Sequence, residues 1–264
     1  MCQINDNFLL TPNKNNLLLL KKIMKNLLIA STSTIFNGAY LEYLFDDLKL
    51  LFAKCETVLF IPYARPNGIS HNDYTLKAIE AFSKINLNVV GLHEFENPIK
   101  AIQNAEAIFV GGGNTFLLVH QLYQYNLIAQ LQKSILQGTP YLGTSAGSNI
   151  AGVSMQTTND MPIIYPQSFE TLGILPFNLN PHYLDVDAQS QHMGETRETR
   201  IKEFHVFNDA PVLGLREGSW LDVKGDDIIL KGTVTARLFL KNECAQEVQP
   251  ETNLKFLHKK SPTN

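Results

Sequence analysis

Two patterns alternate along the first half of this 264-residue chain and limit the folds open to it. Short β-rich apolar runs occupy Leu27 to Ala30, Val58 to Ile61, Val89 to Leu92, Ala107 to Val110 and Tyr141 to Gly143. Between them, Tyr40 to Ala53, Tyr74 to Lys84 and Thr115 to Gln137 carry apolar residues at intervals of three and four, the spacing of amphipathic helices. Strands alternating with helices predict an α/β fold with a mostly parallel sheet covered by helices on both faces. After residue 205 the pattern changes. Strand-like runs at Val212 to Leu215, Trp220 to Val223, Ile228 to Leu230 and Val234 to Leu240 are separated by Gly- and Asp-containing turns, so this end is expected to be antiparallel.

A hydrophobic content of 44% with 18% charged residues is that of a globular protein with a sizeable core. A formal net charge of -3 gives no general electrostatic reason to expect nucleic acid or an anionic membrane as a partner. Cys2, Cys55 and Cys244 are far apart and form no CxxC pair, which suggests neither a zinc site nor a disulfide framework and fits a reducing compartment. The Leu17 to Leu20 run lacks the charge order and cleavage site of a signal peptide, and nothing reaches the roughly 20 apolar residues of a membrane span. The expected location is the cytoplasm. Residues 1–23, rich in Asn, Lys and Leu, read as a loosely ordered extension, and residues 24–264 as a single domain beginning at Met24.

Gly143-Thr144-Ser145-Ala146-Gly147 is a G-x-S-x-G element between a strand and a helix expected over Ala146 to Gly152. A sharp turn there lifts the Ser145 hydroxyl above the sheet edge, and the flanking glycines remove side chains that would clash. The helix N-terminus adds a field favourable to negative charge. Taken alone, the same letters equally describe a tight turn with an N-capping serine. Gly111-Gly112-Gly113-Asn114-Thr115 follows another strand and opens another helix, so its amides offer a second anion-binding wall. A phosphate loop is the rival reading, weakened by the missing Walker lysine and the incomplete G-x-G-x-x-G.

These two segments occur together with Thr157-Thr158-Asn159-Asp160-Met161-Pro162-Ile163, Asn180-Pro181-His182 and Gly194-Glu195-Thr196-Arg197-Glu198, in that order. The set resembles the peptidase E family, peptidase family S51, over roughly Lys25 to Leu240. The resemblance implies a three-layer α/β sandwich of the class I glutamine amidotransferase type and a serine dipeptidase acting on N-terminal aspartate (Asp-X). It implies no cofactor and no metal. By motif, the nucleophile falls on Ser145, the histidine on His182 and the third member, a glutamate, on Glu217 in Leu215-Arg216-Glu217-Gly218. His182 then takes and returns the serine proton while Glu217 holds the imidazole. The implied oxyanion hole consists of the N–H groups of Gly113 and Ala146. Without the resemblance, His182 is one of seven histidines and Glu217 a turn carboxylate.

A pocket for N-terminal aspartate needs charges of both signs. Asp160 is the candidate for the α-ammonium group or for a supporting role, and Asn114 is a further candidate contact. For the substrate carboxylate, Arg197 and neighbouring His192 are candidates, ahead of Arg200. Arg197 and Arg200 share one face of a helix expected to begin near Glu195, where salt bridges to Glu195, Glu198 or Glu203 are the plain alternative. Two departures from the best-known members stand out: Thr144 occupies a position usually filled by a bulky aromatic, and the segment before Met24 has no counterpart. The competing functions are a cyanophycinase-like hydrolase of the same superfamily and a catalytically silent small-molecule-binding module. The expected partner is a small peptide, with monomer and homodimer both open.

Overall fold

The computed structural model describes residues 25–186, 189 and 193–259. The segment 1–23 and His192 lie outside the described residues. In chain order the strands are β1 (Asn26–Ala30), β2 (Thr57–Ile61), β3 (Asn88–Gly91), β4 (Ala107–Val110), β5 (Tyr141–Thr144), β6 (Asn178–Pro181), β7 (Val212–Leu215), β8 (Ser219–Lys224), β9 (Asp227–Gly232), β10 (Ala236–Phe239) and β11 (Gln246–Val248). The helices are α1 (Phe45–Leu51), α2 (His71–Ser83), α3 (Pro98–Gln103), α4 (Thr115–Gln124), α5 (Ile128–Leu136), α6 (Ala146–Asn149) and α7 (Arg197–Phe207).

Among the described residues, a seven-stranded sheet runs in the order β3-β2-β4-β5-β1-β8-β9. Its pairs from β3 to β1 are parallel, and β8 and β9 continue it antiparallel. Alternation along each parallel strand sends side chains to opposite faces. Leu27, Ile29, Leu59, Ile61, Ile108 and Val110 enter the core beneath α4 and α5. Leu28, Ala30, Val58, Phe60, Ala107 and Phe109 meet α1 and α2 on the other face. Burial on both faces explains why these strands read as unbroken apolar runs. The three-layer sandwich follows, with its antiparallel strands toward the C-terminus.

A four-stranded sheet, β11-β10-β7-β6, carries the remaining strands. It is antiparallel except that β6 pairs parallel with β7, Pro181 lying opposite Leu215. The sequence pattern does not reveal β6, because Asn178-Leu179-Asn180-Pro181 has one aliphatic residue in an otherwise polar and proline context. Its asparagines are nevertheless buried. Asn178 Oδ1 accepts the Ser154 N–H at 2.8 Å, and Asn180 Nδ2 donates to the Thr157 carbonyl at 2.7 Å. These bonds fasten the segment leading to Asp160 onto the strand leading to His182. The short β11 and α3 also escape the periodicity.

The helix expected over Thr115 to Gln137 is two helices. Asn126 adopts a left-handed φ of 56°. Its N–H bonds the Tyr123 carbonyl at 3.0 Å and the Leu127 N–H bonds Leu122 at 2.8 Å, the two hydrogen bonds of a Schellman stop. Likewise, Tyr40 to Ala53 is not one helix. Leu41 has φ 61°, a 3-10 turn covers Glu42–Leu44, and regular α geometry holds only over α1. The C-terminal run expected from Val234 is ordered as a strand over Ala236–Phe239. No helix among the described residues is long and apolar enough to cross a membrane.

Candidate active site

Ser145 sits between β5 and α6 with φ 53° and ψ -110°, a conformation L residues rarely adopt. The turn is possible because backbone packs where side chains would stand. A Cβ on Gly143 would lie 2.5 Å from the Gly147 carbonyl oxygen, and one on Gly147 would run into the Val110 carbonyl. Hydrogen bonds fix the elbow. The Ser145 N–H reaches the Ala30 carbonyl at 3.2 Å, Ser148 Oγ lies 2.6 Å from Ala30 O and 2.7 Å from Gly143 O, and Tyr141 donates to Gly147 O at 2.6 Å.

His182 arrives from the end of β6, also left-handed at φ 55°. Its Nε2 lies 2.9 Å from Ser145 Oγ, and its Nδ1 lies 2.7 Å from Glu217 Oε1. A carboxylate only accepts hydrogen bonds, so Nδ1 carries the proton toward Glu217 and Nε2 is left as the acceptor for the serine hydroxyl. Three side chains widely separated in the chain thus form one hydrogen-bonded series. Nearby, burial foremost and then the Glu217 charge push the Tyr43 phenol far above its ordinary range, so its hydroxyl stays neutral and donates to Thr32 O at 2.6 Å.

The wall opposite is the loop after β4. Gly113 has φ 146°, and a Cβ there would strike the Ala64 carbonyl, so only glycine fits. A Cβ on Gly112 would come within 3.0 Å of the Ser145 Cβ, which measures how closely this loop approaches the elbow. Among the described residues the N–H groups of Gly113 and Ala146 make no hydrogen bond, leaving two donors available beside the serine.

Ser145, His182, Asp160, Thr158 and Asn149 line one small pocket. Asp160 Oδ2 accepts the Thr115 N–H at 2.7 Å at the start of α4 and lies 3.1 Å from Thr158 Oγ1. Asn114 is occupied at both ends of its amide. Oδ1 caps α4 by accepting the Leu117 N–H at 3.1 Å, and Nδ2 donates to Met161 O at 2.8 Å. Arg197 begins α7, which Thr196 caps by accepting the Thr199 N–H at 3.1 Å. Burial, followed by the like charge of Arg200, lowers the Arg197 pKa, and the carboxylate of Asp160 opposes that shift. Arg197 is not among the described residues that line this pocket. Arg200 instead pairs at 3.7 Å with Glu195, the surface arrangement anticipated for it.

Sequence reading missed the supporting residues. Ser31 Oγ accepts the His182 N–H, Asn159 Nδ2 donates to Pro181 O at 2.7 Å, and Arg216 anchors the turn carrying Glu217. Asn159 and Arg216 left a signal, their places beside Asp160 and Glu217 in the quoted motifs; Ser31 left none.

The chain belongs to peptidase family S51, whose family model matches residues 27–231. It is 46% identical over 239 residues to a Drosophila melanogaster protein named "Probable alpha-aspartyl dipeptidase", covering 89% of this chain and 98% of that one. It is also 46% identical over 232 residues to the Peptidase E of Streptomyces coelicolor, covering 88% of this chain and 94% of the relative. The crystal structure of a peptidase from an acI-B1 Actinobacterium shares the fold with a TM-score of 0.67 at 17% identity, over 88% of this chain and 97% of that one.

Proposed function

We propose that this peptidase removes aspartate from the N-terminus of Asp-X dipeptides through an acyl-enzyme on Ser145. The observation that carries the reading is the Ser145–His182–Glu217 relay, with contacts of 2.9 and 2.7 Å. Ser145 Oγ attacks the scissile carbonyl carbon as its proton passes to His182 Nε2. The oxygen that gains charge meets the N–H groups of Gly113 and Ala146, where each such donor is worth on the order of a hundredfold in turnover. The C–N bond then breaks as Nε2 returns the proton to the leaving amine. Water, deprotonated by the same nitrogen, attacks the ester, and collapse releases aspartate and restores the serine.

Glu217 supports the imidazolium formed in both halves of the cycle and keeps Nε2 facing the serine. Asp160 supplies a negative charge for the substrate ammonium, and Arg197 a fork-shaped cation for the aspartate side chain. The name of the Drosophila relative supports the same preference. Asn114 positions the Met161 loop and caps α4.

The test is release of free amino acids from Asp-X, Glu-X, Asn-X and Ala-X dipeptides, with a chelator present, by the wild type and Ser145→Ala. Asp-selective release that the substitution abolishes is the expected result. Equal release from Ala-X would remove the proposed specificity, and undiminished release by Ser145→Ala would remove the nucleophile.

A further inference from the structure

Arg216 stands immediately before Glu217, and its guanidinium is spent elsewhere. Nε and Nη2 donate to the two carboxylate oxygens of Asp185, each at 2.7 Å. Nη1 and Nη2 donate to Glu247 at 3.0 Å. Nη1 also reaches the Thr235 carbonyl at 3.0 Å and its hydroxyl at 2.6 Å. The group lies over the Tyr183 ring, 5.5 Å from its centroid, and the side chain is only 18% exposed.

The arrangement links the two segments that meet at the relay. Asp185 follows His182 on the chain leaving β6, while Arg216 and Glu217 form the turn leaving β7. Among the described residues, backbone bonding ties these segments only at their bases, where the Tyr183 N–H reaches Leu215 O at 3.0 Å. Among the described residues no backbone hydrogen bond joins 216–218 to 184–186. Beyond the strand ends, and apart from the His182–Glu217 contact itself, the fork-to-fork pair of Arg216 and Asp185 makes the connection. A bidentate pair fixes orientation as well as distance, unlike a single exposed ion contact.

We infer that Arg216 is a positioning residue for hydrolysis: its bidentate clamp on Asp185, braced from the other side by Glu247, holds Glu217 in hydrogen-bond reach of His182. The inference rests on the proposed Ser145–His182–Glu217 relay. Glu217 is itself half-exposed, with 49% of its side chain accessible. Its place beside His182 thus depends on the turn that carries it more than on packing of its own. Displacement of a reacting or supporting group by about 1 Å is enough to cost on the order of a hundredfold in rate.

The experiment measures kcat, KM and the pH dependence of kcat on Asp-Leu for Arg216→Gln, Arg216→Lys and Asp185→Asn, with Ser145→Ala and Glu217→Gln as references. For Arg216→Gln the expected result is a fall in kcat of about 10- to 100-fold with KM changed by less than about twofold. The acid limb of kcat should move in the same direction as it does in Glu217→Gln, the reference that removes the carboxylate outright. Arg216→Lys keeps the charge without the fork and should recover only part of the rate. Should Arg216→Gln fail to fold, Asp185→Asn breaks the same pair from its more exposed side and is read identically. A loss confined to KM, an unmoved acid limb, or full recovery with lysine would overturn the clamp. If Glu217→Gln itself kept wild-type kcat and pH dependence, the relay would fall and the clamp with it. A Glu217→Gln loss without an Arg216→Gln loss would remove the clamp alone.

Discussion

Ser31 Oγ accepts the backbone N–H of His182 at 2.9 Å and donates its own O–H to the Leu215 carbonyl at 2.8 Å. One fully buried hydroxyl just after β1 thereby joins the proposed base, just past β6, to β7, the strand that leads into Glu217. His182 has a left-handed backbone, and the strand ladder does not bond its N–H. Without Ser31 that donor has no acceptor among the described residues.

Ser31→Ala is accordingly expected to cost about 1–3 kcal/mol, the range for an orphaned buried donor, and to lower kcat more than it changes KM. Thermal melting and steady-state kinetics on one preparation decide it. An unchanged melting temperature would show that the bond contributes nothing net.

The backbone at Ser145 separates chemistry from stability. Both Ser145→Ala and Ser145→Gly should lose activity by on the order of 10⁴-fold or more. Gly at φ 53° escapes the strain of about 1–3 kcal/mol that a Cβ-bearing residue meets in such a region. Ser145→Gly should therefore melt above Ser145→Ala. A lower melting temperature for the glycine variant would mean that the elbow stores no strain.

Arg197→Met tests recognition of the aspartate side chain. Loss of a charge-assisted hydrogen bond to a carboxylate is worth about 1.5–3 kcal/mol, or about 10- to 150-fold in kcat/KM. The loss should fall on Asp-X and spare Ala-X. A uniform loss over all dipeptides would place Arg197 in the scaffold instead.

Acid stability should report the ion network behind the relay. Hydrogen bonds from Arg216, outweighing burial, then those from Thr235 and Arg237, bring the Glu247 carboxyl from 4.5 down to about 2. Because the folded-state pKa is depressed, this stabilisation is complete above the unfolded value of about 4.5 and is lost as pH falls toward about 2. The melting temperature of Glu247→Gln should start below that of the wild type at neutral pH, and the two should converge across that window. Parallel curves would show that Glu247 does not supply the pH dependence. Its side chain is 36% exposed, so screening keeps the effect modest.

Much of the parallel sheet was legible in the chain because strands covered on both faces must be apolar at every position, as Val58 to Ile61 and Ala107 to Val110 are. Ser145 was legible because its elbow needs small neighbours on both sides, a requirement written in consecutive residues. Where a local bond pattern overrode periodicity, as at Asn126, the helix boundary was lost. Strand β6 was invisible because its stability comes from asparagines bonded to a distant segment, and hydropathy records only the apolar part of burial.

Local order along the chain sets which runs are buried on two faces and where glycine lets the chain turn sharply. The packed fold is what makes Ser145, His182 and Glu217 meet, since that depends on β6 pairing parallel to β7 in the register that sets Pro181 opposite Leu215. It likewise brought Asp160 beside Thr115, and Ser31 and Arg216 against their partners. Such contacts join residues far apart in the chain, and their geometry comes from packing and hydrogen bonding between elements, which no local pattern encodes.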